Sequence, residues 1–224
     1  MSKLFFTELI GWIATFFGFV FIWFVIQLIS DLVNKRQESK NIPYLLYIVS
    51  ALNCCFGFYY CMNANLASAT FINFAYGSTC LICFVIFCIH INDYEIKNSI
   101  IIILVAIIST YALNYYLYYY VAGSTCGLIN MVGTTIMWVT PSQKIKEMFD
   151  SGDHNIIQIK ITGMSGLITF SWFLYGMLND FDLIIVIPNF IGLVINLVTF
   201  YFWRDLYIKN TANLIEDIRK SFII

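Results

Sequence analysis

Seven apolar stretches, each about twenty residues long and divided by short polar breaks, restrict this chain more than any other feature. They run approximately from Leu9 to Ile29, Pro43 to Met62, Ala67 to Ile89, Ser99 to Tyr120, Thr125 to Ile145, Ile156 to Leu178 and Leu183 to Trp203. About 20 apolar residues in a helix cross a bilayer's hydrocarbon, where every backbone polar group must be satisfied internally. The stretches therefore predict an all-α integral membrane protein with seven spans and an amphipathic tail after Trp203. Composition agrees, since 60% of residues are hydrophobic and only 11% charged, against about a quarter charged in soluble domains. Lys3 leads into an apolar run too long for a cleavable signal, so the first stretch reads as a span.

Charge sets the expected orientation and removes some partners. Lys35, Arg36, Lys40, Lys97, Lys144, Lys146, Lys160, Arg204, Lys209, Arg219 and Lys220 fall on one side of a seven-span chain and Lys3 on the other. Basic residues stay cytosolic, which predicts an outside (lumenal) N-terminus and a cytosolic C-terminus. A net charge of -1 without a polybasic run argues against nucleic acid as a partner. Of the seven cysteines, Cys54, Cys55, Cys80, Cys83 and Cys88 lie in apolar runs. They read as small hydrophobes rather than disulfides or metal ligands, and no cofactor is expected.

Sliding the chain against itself by 116 residues pairs Gly11 with Gly127, Phe56 with Trp172, Tyr59 with Tyr175, Asn63 with Asn179, Asn73 with Asn189 and Phe74 with Phe190. Spans 1 to 3 thus resemble spans 5 to 7, and span 4 is left over. An odd linker makes both repeats enter the membrane in the same direction, a transporter design. The expected organisation is 3+1+3: a first repeat over residues 1–92, a linker helix over 93–122, a second repeat over 123–206 and a cytosolic tail over 207–224.

An asparagine inside a span needs partners for its amide. Asn73 and Asn189 stand at matching repeat positions, and two carboxamides that both donate and accept suit hydroxyl groups. Phe56 and Trp172 offer flat apolar faces on which the C–H face of a pyranose packs. Pro43, Pro141 and Pro188 lie in or at the edges of spans, where a missing N–H opens a bend, and are hinge candidates. Gly57, Gly127 and Gly176 allow close helix approach. Asp180 and Asp182 fall in a short outer loop and read as solvated or as part of an outer gate, not as a hydrolase pair. No charged residue lies near the middle of a span, whereas coupled carriers use titratable or ion-binding groups at depth. Uncoupled movement of a small neutral solute follows, and no enzyme chemistry.

The run from Trp172 to Leu197, WFLYGMLNDFDLIIVIPNFIGLVINL, resembles the last two helices of the SWEET sugar transporters, with their pattern W-x-x-Y-G…D-x-x-x-x-x-P-N-x-x-G. Pro43-Tyr44 and Asn73 extend the likeness into the first half. The resemblance implies a bidirectional facilitative uniporter of mono- or disaccharides working by alternating access. It makes Asn73 and Asn189 the sugar-contacting amides and Trp172 the stacking ring. Phe56 replaces the usual helix-2 tryptophan, and Cys54 holds a pocket position where small polar residues are usual. Of the four pivot prolines, Pro43 and Pro141 are present, while Trp23 and Gln158 occupy the other two places. The resemblance also implies homo-oligomers in a plasma or Golgi membrane. An amino-acid carrier of the PQ-loop type is the nearest alternative, with Pro141-Ser142-Gln143 as a broken match. A seven-helix receptor shares the topology but not the repeat.

Overall fold

The computed structural model describes residues 3–34, 44–90, 116, 122–139 and 142–221. Seven α-helices fill them: α1 (Lys3–Val33), α2 (Tyr44–Asn63), α3 (Ala67–His90), α4 (Gly123–Val139), α5 (Ser142–Ser151), α6 (Ile159–Leu178) and α7 (Leu183–Ser221). The expected fourth span, Pro43 and Pro141 lie outside the described residues. Four described stretches are long and apolar enough to cross a bilayer: Phe5–Val33, Ala67–His90, Ile159–Leu178 and Leu183–Ile215.

The expected fifth span to Ile145 is described as α4 and the start of α5, and residues 140–141 between them lie outside the described residues. α5 carries Lys144, Lys146, Glu147 and Asp150, a composition for water or headgroups rather than hydrocarbon. One expected boundary changes. The expected tail after Trp203 is no separate element, because α7 runs unbroken through 39 residues. At 1.5 Å per residue that is roughly 58 Å, well beyond a hydrocarbon core of about 30 Å, so the last third of α7 stands clear of the bilayer.

The six long helices close into a ring. Among the described residues α1 packs on α3 and α6, α2 on α3 and α4, and α7 on α6 and α4. The order around the ring is therefore α1–α3–α2–α4–α7–α6. Exchanging α1 with α4, α2 with α6 and α3 with α7 maps these neighbours onto themselves, the signature of a pseudo-twofold axis through the centre. Gly11 and Gly127, repeat mates, show the same correspondence in detail. A β-carbon on Gly11 would strike Ser68 of α3 and Tyr175 of α6, and one on Gly127 would strike Ile184 of α7 and Tyr60 of α2. Ser68 and Ile184 are themselves 116 residues apart.

Two cores occupy different ends. Ile29, Leu32, Tyr47, Cys80, Cys83, Phe84 and Phe87 pack within α1, α2 and α3 alone. Ala14, Cys61, Leu66, Ala69, Ile168, Trp172, Tyr175 and Ile185 form the other, which crosses between the α1–α3 unit and the unit of α4, α6 and α7. The outer wall of the ring is apolar and open, with Phe16, Trp23, Phe74 and Leu197 each more than half exposed. Water-soluble monomers rarely leave such surface bare, and the chain is a multi-pass integral membrane protein.

Candidate substrate site within the helix ring

The two repeat-paired asparagines adopt the same local geometry. Asn73 Nδ2 donates to the Ala69 carbonyl at 2.8 Å, and Asn189 Nδ2 donates to the Ile185 carbonyl at 2.8 Å. Each amide spends one donor on its own helix, which fixes its rotamer and leaves the oxygen to face other groups. Asn189 is buried and follows Pro188, which is fully buried inside α7. The proline cannot donate to the Ile184 carbonyl four residues back, so the helix has a weak point one residue before the amide.

Trp172 is only 9% exposed and meets Tyr175 edge to face, with ring centroids 5.3 Å apart. It packs in the core that crosses between the units, with Cys61 and Ala69. These same two residues touch Asn73, whose Nδ2 lies 3.8 Å from Cys61 Sγ and bonds the Ala69 carbonyl. Trp172 and Asn73 thus line one neighbourhood from opposite units.

Cys54 is buried and packs against α3, where a β-carbon on Gly77 would lie 2.8 Å from its own Cβ. It borders a cavity of about 230 Å³ between α2 and α3 with Phe58, Asn73 and Phe74. Phe56, the expected aromatic, is half-buried elsewhere and does not line this cavity; Phe58 does. The reason is helical pitch: Phe58 follows Cys54 by four residues and shares its face, whereas Phe56 is turned well away.

Three side chains that the repeat did not single out complete the seam between α2 and α4. Asn53 Nδ2 donates to Thr134 Oγ1 at 2.8 Å, across the two units. Asn130 brings its Oδ1 within 2.8 Å of where a β-carbon on Gly57 would stand, and Asn73 Oδ1 reaches within 2.5 Å of the same point. All are polar groups inside apolar stretches, which was a usable signal. Their repeat mates are Thr169, Ala14 and Gly18, so a search for matched pairs passes over them.

Asp182 ties the units at one end. Its Oδ2 accepts a hydrogen bond from the Tyr60 hydroxyl at 2.5 Å, joining α2 to the α6–α7 turn. Its Oδ1 accepts from the Ile184 backbone N–H at 3.1 Å, as an N-cap of α7. Asp180 and Phe181 before it take positive φ angles of 50° and 61°, the cost of a tight turn. Gly176 faces Val186 and Ile185 across this hairpin, and Gly127 lies beneath Tyr60.

At the opposite end a cavity of about 440 Å³ is lined by Phe24, Gln27, Leu28 and Asp31 of α1 and by Gln158, Ile159, Lys160 and Ile161 at the start of α6. Gln158 stands at one expected pivot-proline position and lines this opening; Trp23, at another, is more than half exposed on the outer wall. Among the described residues no cluster of His, Cys, Asp or Glu has metal-binding geometry.

Comparison with known proteins agrees in both sequence and fold. The family described as "Sugar efflux transporter for intercellular exchange" matches residues 124–211. The Xenopus laevis protein "Sugar transporter SWEET1" is 32% identical over 79 residues, which are 35% of this chain and 36% of that protein. The solved structure titled "The 3.7 A resolution structure of a eukaryotic SWEET transporter" superposes with a TM-score of 0.78 at 15% identity, covering 90% of this chain and 99% of that one. Residues 124–211 thus resemble that sugar-efflux family in sequence, nine-tenths of the chain shares the fold of the solved transporter, and the chain spans about a third of the length of the curated relative it matches.

Proposed function

We propose that this protein is a facilitative sugar uniporter that works by alternating access, binding mono- or disaccharides inside the helix ring. The observation that carries the reading is the pair Asn73 and Asn189, held alike by i−4 bonds at offset-paired positions on α3 and α7. Carboxamides that donate and accept at once match hydroxyls, and the nearby face of Trp172 suits the C–H side of a pyranose. The absence of a mid-span charge in the sequence favours movement down a gradient without ion coupling.

In this mechanism two three-helix units, joined through a fourth span, rock about the site. Binding is exposed to one side at a time because the Tyr60–Asp182 bond closes one end while a cavity is lined by α1 and α6 at the other. Rocking breaks the bond and brings Gln27 and Asp31 toward Gln158 and Lys160. Pro188, and Pro43 and Pro141 at the span edges, supply the bends. The basic flanks put the open end in the cytosol and the N-terminus outside, and assembly as a homo-oligomer in a plasma or Golgi membrane follows the family resemblance.

The test is entry of radiolabelled glucose and sucrose into proteoliposomes with no ion gradient, beside Asn189→Ala at equal density. Saturable entry that equilibrates without concentrating, and that collapses in the variant, is expected. Entry that needs a proton gradient would overturn the uniport reading, and transport of amino acids but no sugar would replace it with the PQ-loop carrier.

A further inference from the structure

We propose that Asn130 is a third substrate-contacting amide, making the site lopsided so that sugar hydroxyls bind toward the α2–α4 wall. The inference rests on the sugar-uniporter reading and adds a specificity-determining residue to that site.

Four asparagines inside the spans have an engaged donor. Asn53 holds Thr134, and Asn73, Asn189 and Asn196 hold carbonyls four residues back on their own helices. Asn130 differs, because among the described residues its amide makes no hydrogen bond. Asn130 is half-buried, and its unpartnered carboxamide can both donate to and accept from a hydroxyl placed beside it. Its oxygen and that of Asn73 converge beside Gly57, where a β-carbon would lie 2.8 Å and 2.5 Å from them, so any larger residue at 57 would collide with both.

The repeat sharpens the point. The mate of Asn130 is Ala14, fully buried against Ile168 and Trp172 on the α1–α6 wall. One wall of the ring therefore presents Asn53, Asn130, Thr134 and, from α3, Asn73, while the opposite wall presents Ala14, Ile168 and Trp172. A pyranose has the same division, with hydroxyls around its rim and a C–H face. The ring of Trp172 takes the C–H face, and the Asn73–Asn130 pair takes adjacent hydroxyls. A pseudo-symmetric site would hold the sugar equally well turned by half a turn; Asn130 chooses one orientation.

The test uses full-length protein in liposomes and equilibrium exchange of whichever of glucose and sucrose the wild type carries, with the singly deoxygenated glucose analogues as competitors. Asn130→Ala is expected to raise KM about tenfold, the factor equivalent to about 1.4 kcal/mol, with kcat within about twofold and an unchanged melting temperature. Wild type should reject one deoxy analogue that Asn130→Ala accepts as readily as the parent sugar, and Asn130→Ser should recover part of the affinity. A KM within twofold of wild type, or equal weakening toward every analogue together with a lower melting temperature, overturns the inference and leaves Asn130 as seam packing. If wild type carries neither sugar, the uniporter reading falls and this inference falls with it.

Discussion

Removing the hydroxyl of Tyr60 isolates the bond that closes one end of the ring. Tyr60→Phe loses the 2.5 Å hydrogen bond to Asp182 Oδ2 but leaves Asp182 Oδ1 capping the Ile184 N–H, so the start of α7 should not fray. A hydrogen bond to a charged group contributes about 1.5–3 kcal/mol, and half-exposure of this pair places it near the lower figure. Under the proposed alternating access the bond exists only when this end is closed, so its loss should shift the equilibrium toward opening there by roughly tenfold. Cys61 reports that opening. It is buried in the core that joins the units at this end, and a protein retaining Cys61 as its only cysteine reacts with a membrane-impermeant maleimide only when the core parts. The Tyr60→Phe form should label about ten times faster than its parent from the side that carries Asp182. Labelling within twofold of the parent would show that the Tyr60–Asp182 bond does not hold the end closed.

Gly57→Ala places a methyl group 2.5 Å from Asn73 Oδ1 and 2.9 Å from Asn73 Cγ. Since Asn73 is anchored to the Ala69 carbonyl, the strain should cost about 1–3 kcal/mol and abolish saturable sugar exchange; a variant with wild-type KM would refute that geometry. Asn210 donates to the Gly152 carbonyl at 3.0 Å and lies 3.1 Å from His154 Nδ1, clasping the extension of α7 to the turn before α6. Asn210→Ala should raise amide exchange along residues 205–215 about tenfold, at about 1–1.5 kcal/mol for a neutral bond, and unchanged exchange would mean that the stacked Trp203 and Tyr207 rings hold the extension without it.

The helix plan was readable along the chain wherever structure is described. Spans 2, 3 and 6 fall within a few residues of α2, α3 and α6, because the length of hydrocarbon to be crossed is a local demand on consecutive residues. Asn73 and Asn189, paired by the 116-residue offset, make like bonds to carbonyls four residues back, as Asn196 also does. The offset pairs Phe56 with Trp172, whereas the cavity between α2 and α3 beside Cys54 and Asn73 is lined by Phe58, which the offset does not select. Asn130 and Asn53 were visible as polar residues in spans, but a search for symmetric pairs favours what the halves share and hides where they differ.

Apolar length, basic flanks and an offset between like residues belong to the linear chain, and they pointed to a multi-pass membrane protein with two offset-paired asparagines inside its spans. The order of helices around the ring does not belong to it: α3 stands between α1 and α2, and α2 meets α4 across the unit boundary. Nor does the joining of Tyr60 to Asp182, 122 residues apart, or the convergence of Asn73 and Asn130 beside Gly57. In a bilayer the lipid tails are as apolar as the helix faces, so hydrophobicity drives a span into the membrane without specifying its neighbour. Neighbours are chosen by close packing at glycines and by polar groups finding partners, and both are properties of surfaces that exist only once the helices have met.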